Sequence, residues 1–315
     1  MLHLTPDANL PQSEESESPR PLAELPAVSD GSVGGQMRAL LAYMMQTEVH
    51  TYAFSVAANA ILSLFPFIVL LLTLCRRLLH SSAMEGVVAE MMRSFLPIGQ
   101  DFVMRNMQLL AHPHKSTQLL SLVMLLISSS GVFLPLEVAL NAVWGVPKNR
   151  TYLRNQIVSL GLAFAVGGLA MASVALTAVQ QSLLTLLFFG HTSGLVFAFF
   201  SHFAMRFFAG LSSISLFFLI YWVLPHRRIP ALAVLPTAIF VGILWEAAKY
   251  LYMLVLPLLD LQSVYGPFYI SIGLMMWAFV SGLLLLAGAH VSATRYTLRL
   301  ARAAEASDAV AGQAR

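Results

Sequence analysis

Six separate stretches of this chain stay apolar for about 20 residues or more, the length a helix needs to cross the hydrocarbon of a bilayer. They run over residues 52–74, 118–144, 155–180, 205–224, 231–257 and 268–293. A helix satisfies its backbone hydrogen bonds internally in such a setting, so the stretches predict an all-α polytopic bundle of six transmembrane helices. Composition agrees with this. Charged residues make up 10% of the 315 and apolar residues 58%, whereas soluble domains carry about 25% charge. That balance excludes an ordinary soluble enzyme and a disordered chain. The lone cysteine, Cys75, excludes an internal disulfide framework. A net charge of +3 gives no footprint for nucleic acid.

The segments around the spans differ in kind. Residues 1–36 hold five prolines and a Ser/Glu run from Ser13 to Ser18, and read as a disordered acidic tail. Met37, Leu40, Leu41, Met44 and Met45 then recur at helical spacing. They predict an amphipathic helix that lies on the membrane surface or packs on the bundle. Between the first two spans, residues 75–117 contain two further short amphipathic patterns broken at Pro97 and Gly99, expected to cap one mouth of the bundle. Residues 183–204 are interrupted by Gly190, His191, Ser193, Gly194 and His202. They read as a re-entrant or interfacial element, with a seventh span as the alternative. The membrane domain is expected over residues 37–296, followed by a cytoplasmic tail over 297–315. Lys148, Arg150, Arg154, Arg227, Arg228, Arg295, Arg299 and Arg302 all fall on one side of the predicted spans. By the positive-inside rule that side is the cytoplasm, with both termini there. Arg76 and Arg77 oppose this orientation for the first span.

Charges within the spans carry the chemical information, because an acid or lysine at the centre of a membrane helix costs roughly 2.5–3.5 kcal/mol on insertion scales. Glu246 and Lys249 fall in the fifth span at i, i+3 and share a helix face. They form either the lining of a polar pocket or a salt bridge that fixes packing. Glu137 and Asn141, at i, i+4 in the second span, offer a carboxylate and an amide to neighbouring helices, for a ligand or for an interhelical hydrogen bond. Asn59 in the first span is followed by Pro66, and Pro135 precedes Glu137; each proline predicts a kink. The connection 257–267 is rich in breakers, holds Tyr265 and lacks Lys and Arg, so it is expected to dip into the interface. Gly161, Gly167, Gly168 and Ala172 in the third span, with Gly282, Gly288 and Ala289 in the sixth, supply small-residue faces for a neighbouring span or a second subunit, which leaves a homo-oligomer open. His112 and His114 are too few for a metal site. The chain has no phosphate-binding Gly-rich loop and no Gly-x-Ser-x-Gly elbow. No enzyme activity, metal or cofactor is therefore expected.

Several segments, taken in order, resemble the YihY/BrkB family of bacterial inner-membrane proteins. They are Ser63-Leu64-Phe65-Pro66, Leu140-Asn141 with Trp144-Gly145, Leu224-Pro225 with Arg227-Arg228, Trp245-Glu246 with Lys249, and Val264-Tyr265-Gly266. The resemblance implies six helices in the bacterial inner membrane with both termini cytoplasmic. Members carry the labels "virulence factor" and "ribonuclease BN", and a role in moving lipids or other envelope molecules has been suggested for them. The ribonuclease label fits poorly, since metal-dependent RNA cleavage needs a ligand cluster and a basic surface. Three positions depart from the family pattern: Ala58-Asn59 in place of aromatic residues, Ala142-Val143 in place of a basic residue, and His290-Val291-Ser292 in place of Glu-Leu-Asn. The expectation is a transporter-like or lipid-handling protein. Glu137, Asn141, Glu246, Lys249, Asn59 and Tyr265 would line its substrate pocket, and Arg227 and Arg228 would meet anionic lipid or anchor the topology. Its partners would be membrane lipids and an anionic lipid or small-molecule substrate, with no nucleic acid. A non-transporting scaffold is the alternative, and a membrane-bound hydrolase a weaker one.

Overall fold

The computed structural model describes residues 32–79, 97–98, 115–146, 150–187, 195–227 and 229–313, and the described elements are all helical. Helix α1 is Val33–Met44, α2 Thr47–Leu79, α3 Lys115–Val143, α4 Tyr152–Leu187, α5 Leu195–Val223, α6 Ala231–Val255, α7 Leu261–Tyr265 and α8 Tyr269–Gln313. Two 3-10 turns, Leu256–Leu259 and Gly266–Phe268, flank α7. Three apolar stretches among the described residues are long enough to cross a membrane: Arg206–Val223, Ala231–Leu259 and Leu261–Ala303. Shorter apolar stretches, Val132–Val143 and Leu153–Leu169, lie in α3 and α4.

The long helices pack in sequence order, α2 on α3, α3 on α4, α4 on α5 and α5 on α6, and α8 closes the set against α2 and α6. Their buried core collects at one end. Val49, Leu136, Leu140, Tyr221, Leu224, Val234 and Leu286 are all fully enclosed there. The outward faces are apolar: Phe240, Ile243, Leu251 and Leu254 of α6 are all more than half exposed. A water-facing surface would not present such a continuous apolar band. Acyl chains suit it.

Several expectations need correction. Helix α1 begins at Val33 rather than near residue 37, because Ser32 caps it, its hydroxyl accepting from the Gly35 N–H at 3.0 Å. Residues 1–31 and most of 75–117 lie outside the described residues. Residues 183–204 do not form a separate element where described. Residues 183–187 continue α4 and 195–204 open α5 as one helix. The α6–α8 connection is not a plain loop, since it contains α7 and both 3-10 turns. Asp260 makes its turn in the left-handed region at φ 41°, a conformation Asp tolerates better than most residues. Within the segment 297–315, α8 runs unbroken to Gln313. Its Ala-rich sequence favours helix throughout.

One face of α1 packs on the bundle. The Tyr43 ring stacks on His290 of α8 at 4.4 Å between centroids and 10° between planes. Burial, and secondarily the neighbouring Tyr52, raises the Tyr43 hydroxyl pKa, so the group stays neutral.

The small residues of the sixth span act where the sequence placed them, since a Cβ on Gly282 would sit 3.3 Å from the Cα of Ala53, but two of those in the third span do not. Cβ atoms on Gly161 or Gly168 would meet nothing within 4 Å, whereas one on Gly288 would collide with the Tyr221 hydroxyl and Val241. A Cβ on Gly242 would sit 2.9 Å from the Cα of Ile214, where the α5 and α6 backbones come together. Gly242→Ala is therefore expected to cost about 1–3 kcal/mol by overpacking. Gly161→Ala should be neutral or slightly stabilising, since Ala favours helix by about 1 kcal/mol over Gly. Thermal unfolding of the two purified variants in detergent checks both.

Candidate functional site

Two charged centres lie inside the bundle. At the first, Glu246 and Lys249 face inward from α6. The Lys249 ammonium lies 2.7 Å from Glu246 Oε2. Ser213 of α5 donates its hydroxyl to Glu246 Oε1 at 2.7 Å. Both carboxylate oxygens are thus engaged. The lysine side chain keeps 10% of its surface and the glutamate 18%, so the pair is sheltered without being sealed. Aromatic rings form its wall. Lys249 Nζ stands 5.1 Å from the centre of the Trp245 ring and 5.9 Å from that of Tyr250, both within cation–π range. Trp245 is itself pinned: its indole N–H donates to Ser281 Oγ at 2.9 Å, and its ring meets Trp277 and Phe217. On the outer side, the Arg206 guanidinium lies 5.9 Å from the Tyr250 ring.

At the second centre, Glu137 of α3 is fully buried. Its Oε1 accepts from the backbone N–H of Arg150 at 3.1 Å and lies 3.6 Å from that residue's guanidinium. Arg150 reaches further. Its guanidinium donates to the carbonyls of Leu224 at 2.6 Å, Val223 at 3.2 Å and Pro225 at 3.3 Å. Val223 is the last residue of α5 and Leu224 and Pro225 follow it, so the guanidinium sits at the negative pole of that helix's dipole. Asn141 completes the junction, because its Oδ1 accepts from the His226 N–H at 2.8 Å. The Asn141 amide also approaches Glu137 Oε1 at 3.5 Å, the outer limit for a hydrogen bond.

The expected single pocket is therefore corrected to two centres. Ser213, the partner of Glu246, lies ten residues before Val223, beside Arg150, which separates the centres by about 15 Å along α5. Asn59 belongs to neither: its amide donates to the Ser55 carbonyl of its own helix at 2.9 Å. Tyr265 ends α7 with 45% of its surface exposed. Arg227 donates to the Trp144 carbonyl at 3.2 Å and so ties the end of α5 to that of α3. Arg228, His112 and His114 lie outside the described residues.

Arg150 and Ser213 escaped the sequence reading. Arg150 was one of several basic residues in a loop, and Ser213 one hydroxyl in an apolar run; nothing local marks either. Several enclosed polar atoms find no protein hydrogen-bond partner among the described residues: Glu137 Oε2, both amide atoms of Asn155, and the hydroxyls of Ser159 and Ser212. Each such group costs roughly 1–3 kcal/mol if left unsatisfied.

The second centre makes a prediction about stability. Arg150→Met strands the Glu137 carboxylate and frees three carbonyls, and should cost about 3–5 kcal/mol. Joining it to Glu137→Leu should recover a good part of that loss. Equilibrium unfolding of the single and double variants in detergent reads the difference, and equal damage from both would show that the carboxylate is not the stranded group.

The family model described as "Virulence factor BrkB" matches residues 40–312. A "UPF0761 membrane protein" of Glaesserella parasuis serovar 5 (strain SH0165) is 22% identical over 215 residues, which cover 67% of this chain and 73% of that protein. No solved structure gives a significant match. With inward charges, outward apolar faces and a family match over most of its length, the chain is a membrane protein that belongs to the BrkB virulence factor family.

Proposed function

We propose that this protein spans the bacterial inner membrane six times, through α2, α3, α4, α5, α6 and α8, with the Arg150 end and both termini in the cytoplasm. In this reading it handles an anionic amphiphile, a phosphate-bearing lipid or a small envelope molecule, and performs no chemistry on it. The observation that supports the reading is Lys249: an ammonium set among apolar helices, held by one carboxylate and by aromatic faces, with part of its surface still accessible. A phosphate reaching Lys249 would replace Glu246 as its partner. Glu246 would keep the Ser213 hydroxyl and could take up a proton, which would limit the cost of the exchange. Arg206 beside the Tyr250 ring adds a second cation near the same helix face. The basic residues at the Arg150 end fit the cytoplasmic leaflet, where anionic lipid attracts them by about 1 kcal/mol each.

The scaffold reading draws on one specific observation. Both Glu246 oxygens already have partners, so the pair can stand as a closed packing device.

One experiment separates the two. Lipid-resolved mass spectrometry of molecules copurifying with the wild type should show an anionic lipid or small anion. It should be depleted in Lys249→Met and equally depleted in Glu246→Gln plus Lys249→Met. The scaffold reading expects no enrichment in any of them. It expects damage to stability alone, worst in the single variant, by about 3–5 kcal/mol, because that variant strands the carboxylate.

A further inference from the structure

We propose that the seam between α4 and α5 carries a hydrated file of polar groups that joins the two charged centres and gives protons a route between Glu246 and the Arg150 end of the bundle. The carriers are five of the enclosed atoms for which no hydrogen-bond partner is found: Glu137 Oε2, the two amide atoms of Asn155, and the hydroxyls of Ser159 and Ser212. Native proteins rarely leave such groups unsatisfied, and buried water is their usual partner.

Their placement forms a series. Arg150 holds the carbonyls of Val223, Leu224 and Pro225, so the start of α4 is level with the end of α5, and the two helices run antiparallel in contact. Asn155 and Ser159 are i, i+4 on the buried face of α4, which continues through Leu162 and Ala163. At 1.5 Å per residue they stand about 5 and 11 Å in from Tyr152, and Ser212 stands about 16 Å in from Val223 on α5. One polar group thus appears every 5–6 Å or so, the span of a single water with two hydrogen bonds of about 2.8 Å. Next to Ser212, Ser213 donates to Glu246 Oε1 and completes the connection.

The chemistry of the series favours protons over other ions. Hydroxyls and water both donate and accept, and a primary amide holds water in place without binding charge. The Arg150 guanidinium at the mouth repels cations and keeps its own proton, so the entry point is the free oxygen of Glu137. The charged groups along the route are Glu137 and Arg150 at one end and Glu246 and Lys249 at the other. A proton arriving at Glu246 would neutralise it and release Lys249 for an anion. The file itself stands on the orphaned atoms and does not depend on what Lys249 binds.

The test uses the full chain in detergent and follows protonation of the Glu246 carboxyl by time-resolved infrared spectroscopy after a rapid drop in pH, with Glu246→Gln identifying its band. In the wild type that band should grow at the rate set by the file. Asn155→Leu and Ser159→Ala should each slow it about tenfold, the effect of a barrier raised by about 1.4 kcal/mol. Ser263→Ala, on the exposed connection, should not change it. No protonation of Glu246, or an unchanged rate in both seam variants, overturns the proposal. Should Asn155→Leu fail to fold, the smaller Ser159→Ala change decides. Lipid copurification on the same samples keeps the two readings apart: loss of bound anion in Lys249→Met alone bears on the lipid site, and slowed protonation in the seam variants alone bears on the file.

Discussion

A charge enclosed among apolar helices must find its counter-charge inside the same bundle, because neither water nor lipid will supply one at low cost. That requirement organises the packing. Glu246 and Lys249 satisfy it within one turn of α6 and enlist Ser213 from α5. Glu137 satisfies it across a chain reversal, through Arg150, whose guanidinium also closes the end of α5. The α5 helix is therefore gripped at two heights by polar contacts that can form in only one register. Apolar packing alone would tolerate sliding of one helix past another; directional hydrogen bonds to fixed carbonyls do not.

The aromatic residues extend this grip without adding charge. Trp245 faces Lys249 on one side and Trp277 on the other, and Tyr252 joins Trp277 while donating to the Gly273 carbonyl at 2.7 Å. Tyr221 reaches from α5 to the Leu285 carbonyl of α8 at 2.9 Å, over the surface that Gly288 leaves open. A side chain at Gly288 would remove that hydrogen bond and the close approach together. The polar tips of the aromatics thus fasten α5, α6 and α8 into one unit around the ion pair.

Much of this was legible in the residues, and the failures have physical causes. Helix positions followed from apolar length, and the inward turn of Glu246 and Lys249 followed from the cost of facing lipid. Helix ends were harder. His202 looked like a breaker, yet it lies within α5, because packing against α4 and α6 outweighs local propensity. The merging of Glu137 with Glu246 into one pocket failed because sequence gives depth along a single helix and not the pairing of depths between helices. Arg150 supplies that pairing. Its role rests on contacts more than 70 residues distant in the chain, which no local pattern encodes.

Helix α8 has a mechanical consequence. It is 45 residues long, about 68 Å at 1.5 Å per residue, roughly twice the thickness of a bilayer's hydrocarbon. Its outer part carries Arg295, Arg299 and Arg302 as a rigid arm continuous with the part that packs on Trp245 and Tyr221. A tilt of about 10° at the bundle would swing the tip of a 30 Å overhang by about 5 Å. Small rearrangements around the ion pair would thus be magnified into a displacement of positive charge along the far part of α8, as a short stroke at the fulcrum moves the far end of a lever.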